Sequence, residues 1–258
     1  MDQTFTITFL GTGTSQGIPV IGSNHPVCKS SDPKDKRLRV SVLLRWKDFT
    51  YVIDCGPDFR QQMLREDVSK IDGILLTHEH SDHTAGLDDI RPFNFSHGNI
   101  PFYADKRVFT SLHERFAYIF ATENKYPGAP SIEEIVIEKN VPFYIGGKEV
   151  IPIEAFHDTL PVLGFRVENF TYLTDVKTIS EEEMQKVKGT KVLVVNALRE
   201  KPHYSHFNLA EALDFINKIQ PEITYLTHIS HLMGFHEEVE KRLPKNVHLA
   251  YDTLTLNI

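Results

Sequence analysis

The sequence has few cysteines, no long apolar run and no excess of positive charge. Its 258 residues include 2 Cys, and Cys28 and Cys55 are too few for a disulfide framework. No apolar run approaches the ~18 residues that a membrane-spanning helix needs. A formal net charge of −7 gives no general attraction to nucleic-acid phosphates. We therefore expect no disulfide framework, no membrane as partner, and no nucleic-acid polymer as the natural partner.

The composition and the start of the sequence are those of an ordinary globular protein. Hydrophobic residues make up 41% and charged residues 24% of the chain, which is typical of globular domains. The opening Met-Asp-Gln-Thr has neither the basic start nor the apolar core of a signal peptide. We predict a single domain over residues 1–258 and a cytoplasmic location.

The chemically richest stretch follows the apolar run at residues 71–76 and reads Thr-His-Glu-His-Ser-Asp-His over residues 77–83. On an extended chain His78 and His80 point to the same side, while Asp82 and His83 follow where the chain must turn. One pair can serve one metal ion and the other pair a second. Imidazole nitrogen with carboxylate oxygen suits Zn, Mn or Fe. A solvated loop rich in histidine is the alternative, but four ligand-type residues in six positions form a specific motif.

This stretch resembles the His-x-His-x-Asp-His signature of the metallo-β-lactamase-fold hydrolases. The resemblance implies an α/β (α+β) fold, a four-layer αββα sandwich with two divalent metal ions, Zn or Mn, at one edge. The first ion would be held by His78, His80 and His157, and the second by Asp82, His83 and His228. Asp175 and a hydroxide would bridge them.

The ligands outside the motif also have ordinary structural interpretations. A lone histidine after a strand, such as His157, is more often structural, and an aspartate such as Asp175 often opens a turn. Both residues stand in the order in which the metallo-β-lactamase-fold hydrolases carry their later metal ligands, and this resemblance favours metal binding. Asp54 follows the predicted strand at residues 49–53, where its carboxylate could accept the free N–H of a ligating imidazole. The alternative for Asp54 is a helix cap or a turn.

Two features resemble the PhnP-type phosphodiesterase and RNase Z-like branch of this superfamily. The first is Phe-Leu-Gly-Thr-Gly at residues 9–13, a glycine segment without the ending of a P-loop, for which a turn is the better interpretation than a phosphate cradle. The second is His206, just before a predicted helix at residues 209–219. The resemblance implies that His206 contacts the substrate phosphate and acts as an acid, with Asp82 as the other catalytic residue. A capping or buried histidine is the alternative.

The polar segment near residues 22–33 resembles the cysteine-rich loop that holds a structural zinc in PhnP-type enzymes. Here Ser23 and His25 stand where cysteines are expected, and only Cys28 remains. We predict one additional structural Zn held by His25, Cys28 and His231, since histidine can replace a thiolate as a zinc ligand. A plain surface loop is the alternative. His236 and His248 match no ligand pattern and are expected on the surface.

These patterns predict a dinuclear metal-dependent hydrolase, a phosphodiesterase acting on small or cyclic phosphodiesters. One alternative is an RNase Z-like nuclease, which the acidic charge and the absence of a Gly/Pro-rich basic arm disfavour. Another is a non-catalytic, metal-dependent binding or sensor protein. The aromatic-rich helix predicted at residues 106–120 is interpreted first as core, with a pocket wall or a homodimer face as alternatives.

Overall fold

Within residues 4–258, which a computed structural model of the protein describes, the chain forms two β-sheets of seven strands each. In chain order the strands are β1 (Thr6–Gly11), β2 (Ser41–Trp46), β3 (Phe49–Ile53), β4 (Gly73–Leu75), β5 (Ile100–Ala104), β6 (Ile132–Val136), β7 (Phe143–Ile145), β8 (Lys148–His157), β9 (Leu160–Val167), β10 (Phe170–Tyr172), β11 (Val192–Asn196), β12 (Ile223–Thr227), β13 (Val247–Leu249) and β14 (Thr255–Asn257).

Helices connect the strands. The α-helices are α1 (Phe59–Arg65), α2 (Ser81–Thr84), α3 (Arg91–His97), α4 (Lys106–Arg115), α5 (Ala117–Phe120), α6 (Glu181–Val187), α7 (Leu209–Ile219) and α8 (His236–Glu240). Short 3₁₀ helices lie at Pro26–Lys29, Pro33–Asp35, Leu87–Ile90 and His231–Met233. None of the helices in the described chain has the length and apolar character needed to cross a lipid bilayer.

The two sheets have the same mixed construction. The first sheet runs β14-β1-β2-β3-β4-β5-β6 and the second β13-β12-β11-β10-β9-β8-β7. In the first, β14 to β3 pair antiparallel and β3 to β6 pair parallel. In the second, β7 to β10 pair antiparallel and β10 to β13 pair parallel. Parallel neighbours bring successive strand ends to the same edge of each sheet, which is where polar side chains can meet.

The sheets pack face to face and helices cover their outer faces. Side chains of both sheets share one core, for example Phe9 and Leu44 from the first and Phe165 from the second. On the outer side of the first sheet, α1, α3 and α4 contribute to a second core. On the outer side of the second, α6 and α7 contribute to a third. This is the four-layer αββα arrangement, so the predicted fold class is confirmed.

Local sequence explains several of these elements. β11 is buried at every residue, as expected for a parallel strand covered on both faces. α7 begins at a capping box, because the Asn208 side chain accepts from the Glu211 N–H while the Glu211 carboxylate accepts from the Asn208 N–H. α6 begins with Ser180 as its N-cap residue. These caps fix where α6 and α7 begin, and apolar side chains of both helices then pack against the second sheet.

The glycine segment after β1 packs against protein and leaves no open cradle. A Cβ atom at Gly11 would lie 1.9 Å from the carbonyl oxygen of Arg39. The N–H groups of Gly13 and Thr14 donate to the carbonyl oxygens of Leu38 and Ile229. The segment therefore acts as a tight turn that joins the start of the chain to the loop after β12.

Some predicted elements differ from the structure. The helix predicted over residues 106–120 ends at Arg115 and resumes at Ala117, because Phe116 leaves the helical conformation at φ −123° and ψ 39°. β13 and β14, of three residues each, are strands that sequence analysis does not predict, although apolar and polar residues alternate in both. They are strands because β13 pairs with β12 and β14 pairs with β1, contacts that join distant parts of the chain.

Candidate metal centre

The predicted ligands lie at strand ends. His157 is the last residue of β8, His228 follows β12, and His78 and Asp175 come three residues after β4 and β10. Asp54, Asp175 and His228 have left-handed backbones, with φ of 63°, 59° and 54°. That conformation costs non-glycine residues about 1 kcal/mol or more and is concentrated at functional sites. The turns aim these side chains at a common point.

The structure brings most of the predicted ligand atoms within contact distance. Nε2 of His83 lies 3.3 Å from a carboxylate oxygen of Asp82 and 3.3 Å from one of Asp175. Nε2 of His228 lies 3.5 Å from Asp82 and 3.3 Å from the other oxygen of Asp175. Groups of possible ligand atoms within 4.8 Å of one another are His78 with His83 and Asp175, Asp82 with His83 and His228, and His157 with Asp175 and His206.

The remaining histidines border the same centre. The ring centroids of His78 and His80 are 4.7 Å apart, and those of His80 and His157 are 5.2 Å apart. His206 lies 4.4 Å from the His157 ring and 4.8 Å from the His228 ring. His206, which sequence analysis assigned to catalysis, thus lies among the candidate ligands themselves.

Buried nitrogen atoms without hydrogen-bond partners indicate that a cation fits here. Nε2 of His78, His83 and His228 and Nδ1 of His206 are buried and have no hydrogen-bond partner. An unsatisfied buried polar atom costs about 1–3 kcal/mol. Imidazole nitrogens and carboxylate oxygens converging on one point are a donor set that divalent metal ions use. The His/Asp clusters of this structure could therefore bind metal.

The charges at the centre are strongly coupled. Burial alone would lower the pKa of His83, but the carboxylates of Asp82, Asp175 and Asp54 raise it well above its usual value. Burial alone would raise the pKa of Asp175, but the imidazoles of His228 and His83 hold it well below its usual range. Burial lowers the pKa of His78 well below 6.5. In the metal-free protein these shifts favour a protonated His83 beside ionised Asp82 and Asp175, and metal binding would release the His83 proton.

Two residues orient the imidazoles of the motif. Nδ1 of His83 lies 2.7 Å from the Asp54 carboxylate. The Thr77 hydroxyl donates to the same carboxylate at 2.9 Å and lies 3.0 Å from Nδ1 of His78, from which it can accept. Hydrogen bonding at Nδ1 leaves each Nε2 free to bind metal. Sequence analysis predicted Asp54 and missed Thr77, although the hydroxyl stands next to His78 in the motif.

A backbone carbonyl orients His157. Nδ1 of His157 lies 2.7 Å from the carbonyl oxygen of Ser205, so the ring N–H can donate to that oxygen. No side-chain pattern signals a backbone acceptor, so sequence analysis could not have found this contact. It ties the end of β8 to the loop that carries His206.

The residues of the predicted third metal site are only partly brought together. The rings of His25 and His231 are 4.9 Å apart. The Cys28 thiol is buried and accepts from the Val20 N–H at 3.5 Å. Across residues 4–258, no group of three ligand atoms within 4.8 Å includes these side chains. A zinc ion here stays a prediction.

The surface prediction for His236 is wrong. Its side chain is buried, its Nδ1 lies 3.1 Å from a guanidinium nitrogen of Arg37, and its backbone N–H donates to Asp35. The buried Arg37 needs acceptors, and His236 supplies one. His248 is half-buried, with Nδ1 2.6 Å from the Glu240 carboxylate. Neither residue contacts the metal centre.

Comparison with known proteins identifies the family. The family model described as the Beta-lactamase superfamily domain matches residues 50–229. This chain belongs to the metallo-β-lactamase superfamily. The family supports a hydrolase that uses divalent metal ions, in agreement with the His/Asp clusters above.

Individual members differ in their described activities. The crystal structure of a new diphosphatase from the PhnP family matches at a TM-score of 0.92 and 38% identity, covering 99% of this chain and 97% of that chain. An octanoyltransferase of Porphyromonas gingivalis is 39% identical over 247 residues, which are 95% of this chain and 50% of that protein. A ribonuclease Z of Methanococcus maripaludis is 36% identical over 83 residues, 31% of this chain and 22% of that protein. The chain thus spans half or less of the length of these two curated relatives.

Proposed function

We propose that this metallo-β-lactamase-superfamily protein is a dinuclear metal-dependent phosphodiesterase that acts on small phosphodiesters, including substituted diphosphates. The observation that carries the proposal is an imidazole among the candidate ligands, His206, whose Nδ1 lies 3.6 Å from Asp175. A proton-carrying group beside a two-ion site suits cleavage at phosphorus. The PhnP-family diphosphatase, 38% identical over nearly the whole chain, supports the same bond class.

The proposed ligand assignment follows the two sides of the centre. His78, His80 and His157 would hold one ion, Asp82, His83 and His228 the other, and Asp175 would bridge them. The bridging role is supported because one Asp175 oxygen faces His83 while the other faces His228 and His206. Two divalent ions, Zn or Mn, would lower the pKa of a water molecule and offset negative charge on phosphate.

The shared core of the two sheets supports a single domain.

His206 is proposed to donate a proton or a hydrogen bond to the substrate. Burial lowers its pKa to about 3, so the free protein holds this imidazole neutral. A neutral imidazole still donates one N–H. A phosphate anion beside it would favour the protonated form and raise the pKa again, which is what protonation of a departing alkoxide requires.

The test compares two phosphodiesters that differ in leaving group. On an alkyl phosphodiester, whose alkoxide must be protonated, His206→Ala should lower turnover by roughly 10²-fold. On an activated nitrophenyl ester, whose leaving group needs no proton, the loss should be much smaller. Equal losses at equal metal content would remove His206 from the acid role.

A panel of substrate classes tests the reaction itself. The wild-type protein, loaded with Zn or Mn, is compared on phosphodiesters, substituted diphosphates, a lactone, a β-lactam and an octanoyl thioester. Phosphodiesters and diphosphates should be cleaved far better than the others. Preferential cleavage of the thioester or the lactam would overturn the proposed bond class, and a protein that binds metal but cleaves nothing would be a binding or sensor protein.

An RNase Z-like nuclease is the second candidate. The identity with ribonuclease Z over 31% of this chain favours it, while the net charge of −7 disfavours a polymeric RNA. Cleavage of a precursor tRNA in preference to small diesters would establish this alternative.

A further inference from the structure

Glu79 lies between two candidate metal ligands and is bound by α4. The rings of His78 and His80 lie 4.7 Å apart, and the His157 ring lies 5.9 Å from the first and 5.2 Å from the second. The Glu79 carboxylate forms an ion pair with the Arg107 guanidinium, and the two facing atoms, Oε2 and Nη1, are buried from solvent. A side chain inside the metal motif is thus held by a helix that supplies none of the candidate ligands.

The same guanidinium reaches the segment that carries the third of these histidines. Nη2 of Arg107 donates to the carbonyl oxygen of Pro161 at 2.6 Å. Pro161 lies in β9 next to Leu160, which pairs with His157 in β8. Arginine presents its N–H groups in a rigid planar fork, so one side chain can hold two acceptors at a set spacing. Arg107 therefore links the segment around Glu79 to the hairpin formed by β8 and β9.

α4 is a fixed base for this link. The helix begins at its N-cap residue Asp105, whose side chain accepts from the Arg107 N–H at 2.7 Å, and its apolar side chains are buried in the outer core of the first sheet. Further along the helix, Arg115 donates to the Glu79 carbonyl oxygen at 2.7 Å and to the Thr84 hydroxyl at 2.9 Å. α4 thus contacts both the side chain and the backbone of Glu79. Groups carried on a helix are held more precisely than groups on a loop.

We infer that Arg107 is a positioning residue for the metal ion that we propose binds His78, His80 and His157. The inference rests on that proposed ligand assignment. By holding Glu79 and Pro161 together, the Arg107 guanidinium fixes the spacing of the two segments that carry these three histidines. The other proposed ion should depend on Arg107 much less, because the Asp54 carboxylate orients its ligand His83 separately.

The test measures both Zn affinities of the metal-free protein by competitive titration against a chromophoric chelator. Arg107→Ala should weaken one ion by about tenfold, the lower end of the loss expected when outer support of a ligating histidine is removed, and leave the other within about twofold. With one equivalent of Zn, anomalous diffraction from crystals of the variant should place the ion at Asp82, His83 and His228. Arg91→Ala, which removes the ion-pair partner of Asp88 at the start of α3, is the matched control and should change neither affinity.

A double-mutant cycle tests whether Arg107 acts through Glu79. Glu79→Ala should reproduce the selective loss, and the double variant should lose little more than Arg107→Ala alone, because both substitutions remove the same ion pair. General destabilisation would instead weaken both ions. Were Arg107→Ala not to fold, the selective loss in Glu79→Ala would decide the question.

Fully additive losses, equal losses at the two ions, or wild-type affinities in Arg107→Ala would overturn the positioning role. A wild type that does not bind two ions would overturn the ligand assignment and this inference with it. A wild type that binds two ions but cleaves no phosphodiester would refute the proposed function alone, because the titration does not depend on turnover.

Discussion

Asp54→Asn tests whether the Asp54 carboxylate sets the protonation of the ligand His83. The carboxylate lies 2.7 Å from Nδ1 of His83 and accepts from both the backbone N–H and the hydroxyl of Thr77. Asparagine offers one oxygen and one NH₂ group in the same space. If the NH₂ faces His83, the ring proton must move to Nε2, the atom aimed at Asp82 and Asp175. If the NH₂ group faces Thr77 instead, it points at the Thr77 N–H or hydroxyl, and two donors then face each other without an acceptor.

The altered hydrogen bonding at His83 should weaken metal binding. Removing an outer carboxylate partner of a ligating histidine typically costs 10- to 100-fold in metal affinity, which is about 1.4–2.7 kcal/mol. The loss should fall mainly on the ion that we propose binds Asp82, His83 and His228. The ion proposed to bind His78, His80 and His157 should be less affected, because Asp54 reaches His78 only through Thr77.

The assay is competitive Zn titration of metal-free protein against a chromophoric chelator, with elemental analysis of the loaded protein. Wild type should bind two ions per chain at the centre, and the variant should bind one of them 10- to 100-fold more weakly. Asp58→Asn is the matched control, because Asp58 accepts from the Arg39 N–H and pairs with its guanidinium. Wild-type affinity in Asp54→Asn, or an equal loss in Asp58→Asn, would refute the reasoning.

Two further predictions concern packing and pH. A Cβ atom at Gly56 would lie 2.0 Å from the Asp82 carbonyl oxygen, so Gly56→Ala should lower stability by about 1–3 kcal/mol and reduce metal content, measured by thermal unfolding and elemental analysis. Burial and the Arg37 guanidinium lower the pKa of His236 to about 4. The stability that neutral His236 contributes is therefore present above pH 6.5 and is lost as pH falls towards 4. In urea unfolding of the metal-free wild type, the free energy of unfolding should fall between pH 7 and pH 5, and His236→Gln should make this fall smaller by roughly 1–2 kcal/mol. An equal fall in wild type and variant would contradict this.

Much of the centre could be predicted because its densest part is local in sequence. Four ligand-type residues within positions 78–83 follow one short strand, and their spacing alone suggests two binding sides. His157, Asp175 and His228 are each unremarkable in their own segments. Their order along the family pattern made them candidates, and the sheets bring them to the same edge.

Other contacts depend on distant segments that no local pattern reveals. The Ser205 carbonyl oxygen reaches His157 across 48 positions of the chain. His236 is buried because Arg37, 199 positions away, lies against it. β14 is a strand because it pairs with β1. A hydrogen bond between such segments forms only when both elements are already packed.

Local sequence is sufficient for the helix caps, the buried run of β11 and the ligand-rich turn after β4, because these depend on side chains within a few positions of one another. The packing of the two sheets, in contrast, sets which side chains share the centre and which imidazole nitrogens are free. Those outcomes depend on two sheets meeting at one edge, where residues far apart in the chain lose water together and must satisfy one another's charges and hydrogen bonds.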